Sequence, residues 1–181
     1  MYDNIERELK ILIDKETYQN IMNSYDFHTP IEQTNTYYDD ENKTIKSMHG
    51  ALRIRTIQNK HFFTLKIKKD EYTHYEFEKE VNTDNLQNIQ DLEVLQWLKE
   101  YNIPKNLKQT ATFTTIRRTY DFENGELCLD QTFYANHTDY ELEYEYTSEH
   151  DGISFFNSIL KPYGLEWKKN CPSKIARAFL D

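Results

Sequence analysis

Apolar and charged residues alternate along most of this chain with a period of two, the pattern of strands that turn one face to a core and the other to a polar space. Residues 4 to 12 (NIERELKIL) set Glu6, Glu8 and Lys10 against Ile5, Leu9 and Ile11, with Arg7 the exception on the apolar side. Residues 51 to 57 (ALRIRTI) separate Arg53 and Arg55 from Leu52 and Ile54, and 62 to 69 (FFTLKIKK) separate Lys66 and Lys68 from Leu65 and Ile67. Residues 75 to 81 (YEFEKEV) align Glu76, Glu78 and Glu80, and 140 to 146 (YELEYEY) align Glu141, Glu143 and Glu145. Asn124-Gly125 lies between two further runs and predicts a type I′ hairpin turn, whose two central residues need positive φ. With Glu123 facing Glu126, Thr119 faces Asp130 and Arg117 faces Thr132, which leaves Arg117 diagonal to Asp130 and turns Arg118 to the other side. A second turn at Asn59-Lys60 would set Arg53 opposite Lys66 and Arg55 opposite Thr64.

The gaps between strands read as helices with one apolar stripe each: 14 to 25, 88 to 101 and 149 to 160. A short final helix starts near Ser173, whose side chain can cap it after Pro172, and carries Lys174 and Arg177. The expected fold class is therefore α+β, an antiparallel sheet with amphipathic helices packed against its apolar face.

The charges decide what the other face does. They are sorted strand by strand, Glu with Glu and Arg or Lys with Lys, whereas ordinary surfaces intersperse the signs. A closed β-barrel with the charged parity inside and the apolar parity under the helices accounts for this and leaves no exposed strand edges. Inward Arg and Lys rows then call for an anion, and clustered carboxylates call for a hard cation such as Mg²⁺ or Mn²⁺. An all-oxygen set argues against zinc, and the histidines, His74 among them, read as surface or loop residues.

Composition narrows the setting. The 181 residues fit a single domain over 1–181, with 38% hydrophobic and 14% aromatic content for a core. Without a basic-then-apolar leader or a membrane-length apolar run, a soluble cytoplasmic protein with no membrane partner is expected. Two cysteines, Cys128 and Cys171, fit a reducing compartment. A net charge of −9 disfavours nucleic acid as a partner. The four scattered glycines make neither a G-x-G-x-x-G loop nor a P-loop, and no G-x-S-x-G elbow occurs, so side chains must hold any phosphate. The Asn136-His137-Thr138 sequon carries no weight in such a compartment. Apolar outward strands and many tyrosines leave room for a homodimer.

The ordered series formed by Glu6-Arg7-Glu8-Leu9-Lys10 (E-x-E-x-K), ALRIR, FTLKIKK, EFEKE, the Arg117 strand, LCLD, YELEYE and SKIAR resembles the CYTH superfamily, the triphosphate tunnel metalloenzymes. It looks like a short single-domain member of bacterial type. The resemblance implies an eight-stranded antiparallel tunnel. It also implies metal carboxylates at Glu6, Glu8, Glu76, Glu78, Asp130, Glu141 and Glu143, and triphosphate grips at Lys10, Arg53, Arg55, Lys66, Arg117 and Lys174, with Lys68 and Arg177 weaker ones. Glu8, Lys10 and Asp130 are the implied catalytic residues. Glu80 and Glu145, nearer strand ends, are left between the interior and a solvated rim. The reaction implied is metal-dependent hydrolysis of the terminal phosphoanhydride of an inorganic or organic triphosphate, such as tripolyphosphate, thiamine triphosphate or a nucleoside triphosphate. A class IV-type adenylate cyclase and a noncatalytic polyphosphate or nucleotide sensor are the alternatives. The loops show no adenine or thiamine pocket.

Overall fold

The alternating segments pair, in a computed structural model that describes residues 4–180, into one closed sheet. Its strands are β1 (Ile5–Ile13), β2 (Ile31–Asp39), β3 (Gly50–Ile57), β4 (Lys60–Lys68), β5 (Thr73–Val81), β6 (Lys108–Phe122), β7 (Gly125–Phe133) and β8 (Thr138–Tyr146). The order β1-β5-β4-β3-β2-β6-β7-β8 returns to β1, and every neighbouring pair is antiparallel. The helices are α1 (Lys15–Ser24), α2 (Thr44–Ser47), α3 (Leu92–Glu100), α4 (Gly152–Leu160) and α5 (Lys174–Arg177).

Each longer helix begins where an Asp side chain accepts the first free amides, which fixes its start against the strand before it. Asp14 accepts from the Thr17 amide at 2.7 Å, Asp91 from Glu93 and Val94, and Asp151 from Ser154 at 3.1 Å. Ser173 caps α5 by accepting from the Ala176 amide at 3.3 Å, as the sequence predicts. The third helix starts later than the expected residue 88, because residues 86–88 form a separate tight turn capped by Asn85.

The apolar parity lies outside the barrel and is covered in two places. Leu9, Leu127, Leu129, Leu142 and Tyr144 pack under α1 and α4, against Tyr18, Ile21, Phe156 and Leu160. Leu52, Ile54, Phe63, Leu65 and Phe77 pack under α2 and α3, against Ile45 and Val94. A third apolar group is inside the barrel at one mouth, where Tyr37, Phe113 and Tyr134 form a floor for Ile175 and Ala178. The C-terminal helix α5 therefore rests across that mouth.

Both expected turns are one residue too late, and the registers shift by two. Phe122 faces Gly125, so Arg117 stands directly opposite Asp130 and Thr119 opposite Cys128. Ile57 faces Lys60, which sets Arg53 opposite Thr64 and Ala51 opposite Lys66. A shift of two keeps every side chain on its face, so the interior set survives the error. Neither Asn124 nor Gly125 has positive φ, and the second hairpin turns through Gln58 at φ 53° instead. Gly125 is needed for space: a Cβ there would lie 2.3 Å from the Tyr144 ring.

The first strand is paired with β5 only through residues 5–7 and with β8 from Glu8 onward, which exposes one edge of its second half. The chain after α4 covers that edge. Asn170 accepts from the Lys10 amide at 2.8 Å and donates to the Glu8 carbonyl at 2.9 Å, and the Cys171 amide donates to the Lys10 carbonyl at 3.2 Å. The Trp167 indole N–H fixes the same Asn170 oxygen at 2.9 Å.

Candidate functional site

The even-numbered residues of β1 meet the inward parity of β3, β4, β7 and β8 around a cavity of about 140 Å³. Its lining includes Glu6, Glu8, Asp130 and Glu143 beside Lys10, Arg53, Arg55, Lys66, Arg117 and Lys174, so basic groups exceed acidic ones. Glu141 is fully buried beside them.

Two nests of carboxylates each enclose a lysine. The Lys66 ammonium, from β4, sits among Glu6, Glu8 Oε1 at 3.2 Å and Glu76 Oε2 at 3.3 Å. Lys10 donates to the same Glu8 oxygen at 2.7 Å. On the neighbouring strands β8 and β7, Lys174 from α5 reaches Glu141, Asp130 Oδ2 at 2.9 Å and Glu143 Oε2 at 3.6 Å. Arg117 grips Asp130 with two donors at 2.9 and 2.7 Å and touches Glu143 at 3.3 Å. Arg177 is held outside the cavity lining by Asp139 at 2.7 Å, Glu141 Oε2 at 2.8 Å and the Pro172 carbonyl, so it positions Glu141 from behind.

The third wall is different. Arg53 and Arg55 project from β3 with few acceptors: Arg53 approaches the Tyr37 hydroxyl at 3.4 Å, and Arg55 donates to Asn35 at 3.3 Å and lies 3.9 Å from Glu78. The Arg53 Nε is buried and, among the described residues, has no hydrogen-bond partner. Burial, then the charges of Arg53 and Arg117, pull the Arg55 guanidinium down to about 10. A low-dielectric wall of this kind stores unspent positive charge.

The carboxylates differ in protonation for physical reasons. Burial works against ionised Glu8, yet Lys10 and Lys66 outweigh it and hold Glu8 well below the usual range. Burial likewise opposes ionised Asp130, and Arg117 and Lys174 reverse it. Lys174 and Arg177 bring Glu141 to about 2 against the same burial. Glu6 is raised, by burial first and by the neighbouring Glu8 and Glu76, despite Lys66. Burial and Glu143 push Glu145 up to about 7, which makes it an interior group, while Glu80 pairs with Lys60 on the exposed rim.

Not every expected residue joins the two nests. Glu78 accepts from the Thr64 hydroxyl at 2.9 Å beside Arg55 and stands apart from both. Lys68 is exposed at the mouth. His74 corrects the reading of the histidines as surface groups: it projects inward from β5, where burial and Lys66 lower it to about 4. Gln33, Asn35 and Tyr37 of β2 also line the cavity, and the sequence reading passed over them. Their period-two spacing was the available signal, but no apolar parity flanks it.

Among the described residues, two groups bring potential metal-ligand atoms within 4.8 Å of one another: Glu6, Glu8 and His74, and Asp130, Glu141 and Glu143. Glu6 Oε2 and Glu76 Oε2 are buried and face Lys66 as ions without hydrogen-bond geometry. Oxygen-rich sites with unspent acceptors fit a hard divalent ion. Beside the tunnel, a larger chamber of about 800 Å³ opens at the α5 mouth between Tyr38, Ile45, Pro172 and Phe179, with Lys43, Lys46, Lys68 and Lys169 around it. Among the described residues no helix is long and apolar enough to cross a membrane.

A model of the CYTH domain matches residues 4–178. The chain belongs to the CYTH domain family. A Bacillus subtilis protein with the provisional name triphosphatase YjbK is 28% identical over 99% of this chain and 96% of its own length. A Bacillus halodurans structure, provisionally named an adenylate cyclase, is 29% identical, covers 97% of each chain and superposes with a TM-score of 0.80. A Hippeastrum protein, provisionally named an adenylyl cyclase and described as having a dominant triphosphatase activity, shares the fold at 23% identity. Its TM-score is 0.75, over 96% of this chain and 94% of that one. The CYTH tunnel fold, closed and eight-stranded, is thus what this sequence forms, and triphosphatase and cyclase are the activities for which its relatives are named.

Proposed function

We propose that this CYTH chain is a cytoplasmic, single-domain triphosphatase that uses Mg²⁺ or Mn²⁺ to hydrolyse the terminal phosphoanhydride of an inorganic or organic triphosphate. The observation that carries the reading is the division of the tunnel into a basic wall with unspent donors, Arg53 and Arg55, and two carboxylate nests, each neutralised by a lysine. Such a wall needs an anion to be stable, and a polyphosphate matches its charge.

Glu6 and Glu8, and beside them Asp130, Glu141 and Glu143, would supply the ligands for the divalent metal. The ion supplies neutralisation of phosphate oxygens and polarisation of a water. Arg53, Arg55, Arg117 and Lys10 bind nonbridging oxygens and stabilise the charge that builds up as the terminal P–O bond breaks. Glu8, held ionised by its lysines, would orient the attacking water. Asp130 stays ionised and keeps Arg117 and Lys174 aimed into the tunnel.

The chamber at the α5 mouth favours a second reading, cyclisation of a nucleoside triphosphate, because it has room for a base and ribose beside the phosphates. Incubation with tripolyphosphate, thiamine triphosphate and ATP, with each metal, separates the readings. Orthophosphate release supports hydrolysis, cyclic AMP with diphosphate supports cyclisation, and tight binding without turnover supports a sensor. Glu8→Gln is expected to abolish metal-dependent turnover with the fold intact; a fully active variant contradicts the assignment.

A further inference from the structure

The two carboxylate groups are not chemically equivalent. Asp130, Glu141 and Glu143 offer oxygen alone, whereas the group on β1 and β5 includes an imidazole. His74 is the direct cross-strand partner of Glu6 on the inner face. Its Nδ1 lies 3.8 Å from Glu8 Oε1, and its side chain is only 16% exposed. That nitrogen is shut away from water and, among the described residues, has no hydrogen-bond partner, although the carboxylates beside it are engaged by Lys10 and Lys66.

A buried ring nitrogen with no partner loses stability unless something takes its lone pair or its proton. Two atoms each about 2.1 Å from one ion lie about 3 Å apart when adjacent and about 4.2 Å apart when opposite, and the His74–Glu8 separation falls inside that range. We propose that His74 Nδ1 is a third protein ligand, with Glu6 and Glu8, to the divalent ion on this side of the tunnel. It makes this site select a transition-metal ion such as Mn²⁺ or Co²⁺ over Mg²⁺. The inference rests on the metal-binding reading given above. Imidazole binds ions of the middle transition series more tightly than it binds Mg²⁺, which favours oxygen throughout its shell. The Asp130 group, lacking nitrogen, has no such preference. Binding requires the Lys66 and Lys10 ammonium groups both to release Glu8 Oε1, which frees them for phosphate oxygens.

Pulsed electron paramagnetic resonance on the protein with less than one equivalent of Mn²⁺, and no triphosphate, tests this directly. A nitrogen coupling from a directly bonded imidazole is expected, and it should change on labelling histidine with the heavier nitrogen isotope. In His74→Asn, where an amide oxygen takes the place of Nδ1, the coupling should vanish, and Mn²⁺ affinity should fall about tenfold or more while Mg²⁺ affinity changes far less. Bound Mn²⁺ without nitrogen coupling, or a coupling that persists in His74→Asn, overturns the assignment of His74 and leaves the carboxylate site standing. A protein that binds no Mn²⁺ overturns the metal reading itself. The wild-type spectrum decides the matter even if the variant fails to fold.

Discussion

Arg55 and Glu145 show how burial sets the chemistry of single residues in this tunnel. Arg55 is held among like charges with only Asn35 and a distant Glu78 to offset them, which leaves it free to take the anion that the proposed function supplies. Arg55→Ala should therefore raise KM for the triphosphate by about 10- to 100-fold with a smaller effect on kcat, and steady-state kinetics that leave both constants unchanged would rule out its role as a grip. Glu145 carries a proton in the folded state up to about pH 7, whereas its ordinary value is 4.5. Between those values the folded protein binds the extra proton and the unfolded chain does not. The contribution of Glu145 to stability is full below pH 4.5 and is lost as pH rises through 7. Glu145→Gln escapes that loss, so its melting temperature relative to the parent should climb from pH 5 to pH 7.5 in metal-free buffer. A constant difference across that range would contradict the shift. His74, lowered to about 4, acts in the opposite sense, gaining stability as pH rises from about 4 to 6.5, so the comparison must be made within one His74 background.

At the scale of elements, each lysine-bearing strand or helix serves two partners that cannot be served together. Lys66 on β4 stands in the Glu6–Glu8–Glu76 nest, and Lys174 on α5 stands in the Asp130–Glu141–Glu143 nest. A divalent ion must displace the ammonium, and a phosphate gives the displaced ammonium a new acceptor, so metal and triphosphate should bind with positive coupling. Lys66→Met should bind Mn²⁺ more tightly in the absence of triphosphate, bind tripolyphosphate more weakly, and lose much of the coupling in calorimetric titrations. Equal coupling in parent and variant would refute the exchange. The strands that carry these groups were legible because Glu6-Glu8-Lys10, Arg53-Arg55, Lys66 and Glu141-Glu143 each alternate with apolar residues that a helix covers. The second strand was not legible. Its inward Gln33, Asn35 and Tyr37 alternate with Thr34, Thr36 and Tyr38, so neither parity is plainly apolar. Turn positions failed for a related reason: Gly125 reads as a residue of left-handed backbone, yet it is there to admit the Tyr144 ring.

The whole molecule depends on closure. Sorted charges would repel along the face of an open sheet, but in the closed barrel the carboxylates of β1, β7 and β8 meet Lys66 from β4 and Lys174 from α5, while Arg53 and Arg55 of β3 keep few acceptors. What the sequence could not disclose belongs to this scale. The inward His74 depends on register with Glu6, the aromatic floor under α5 on three strands meeting at one mouth, and the chamber beside it on how residues 169–179 cross that mouth. On the proposed function, these features would take in a triphosphate with its terminal phosphorus between carboxylates and arginines. The most direct test is hydrolysis of tripolyphosphate in heavy-oxygen water with Mn²⁺, followed by phosphorus NMR of the products. One solvent oxygen in the orthophosphate and none in the diphosphate is the predicted result. Label in the diphosphate, or no metal-dependent cleavage of either tripolyphosphate or an organic triphosphate, would contradict it.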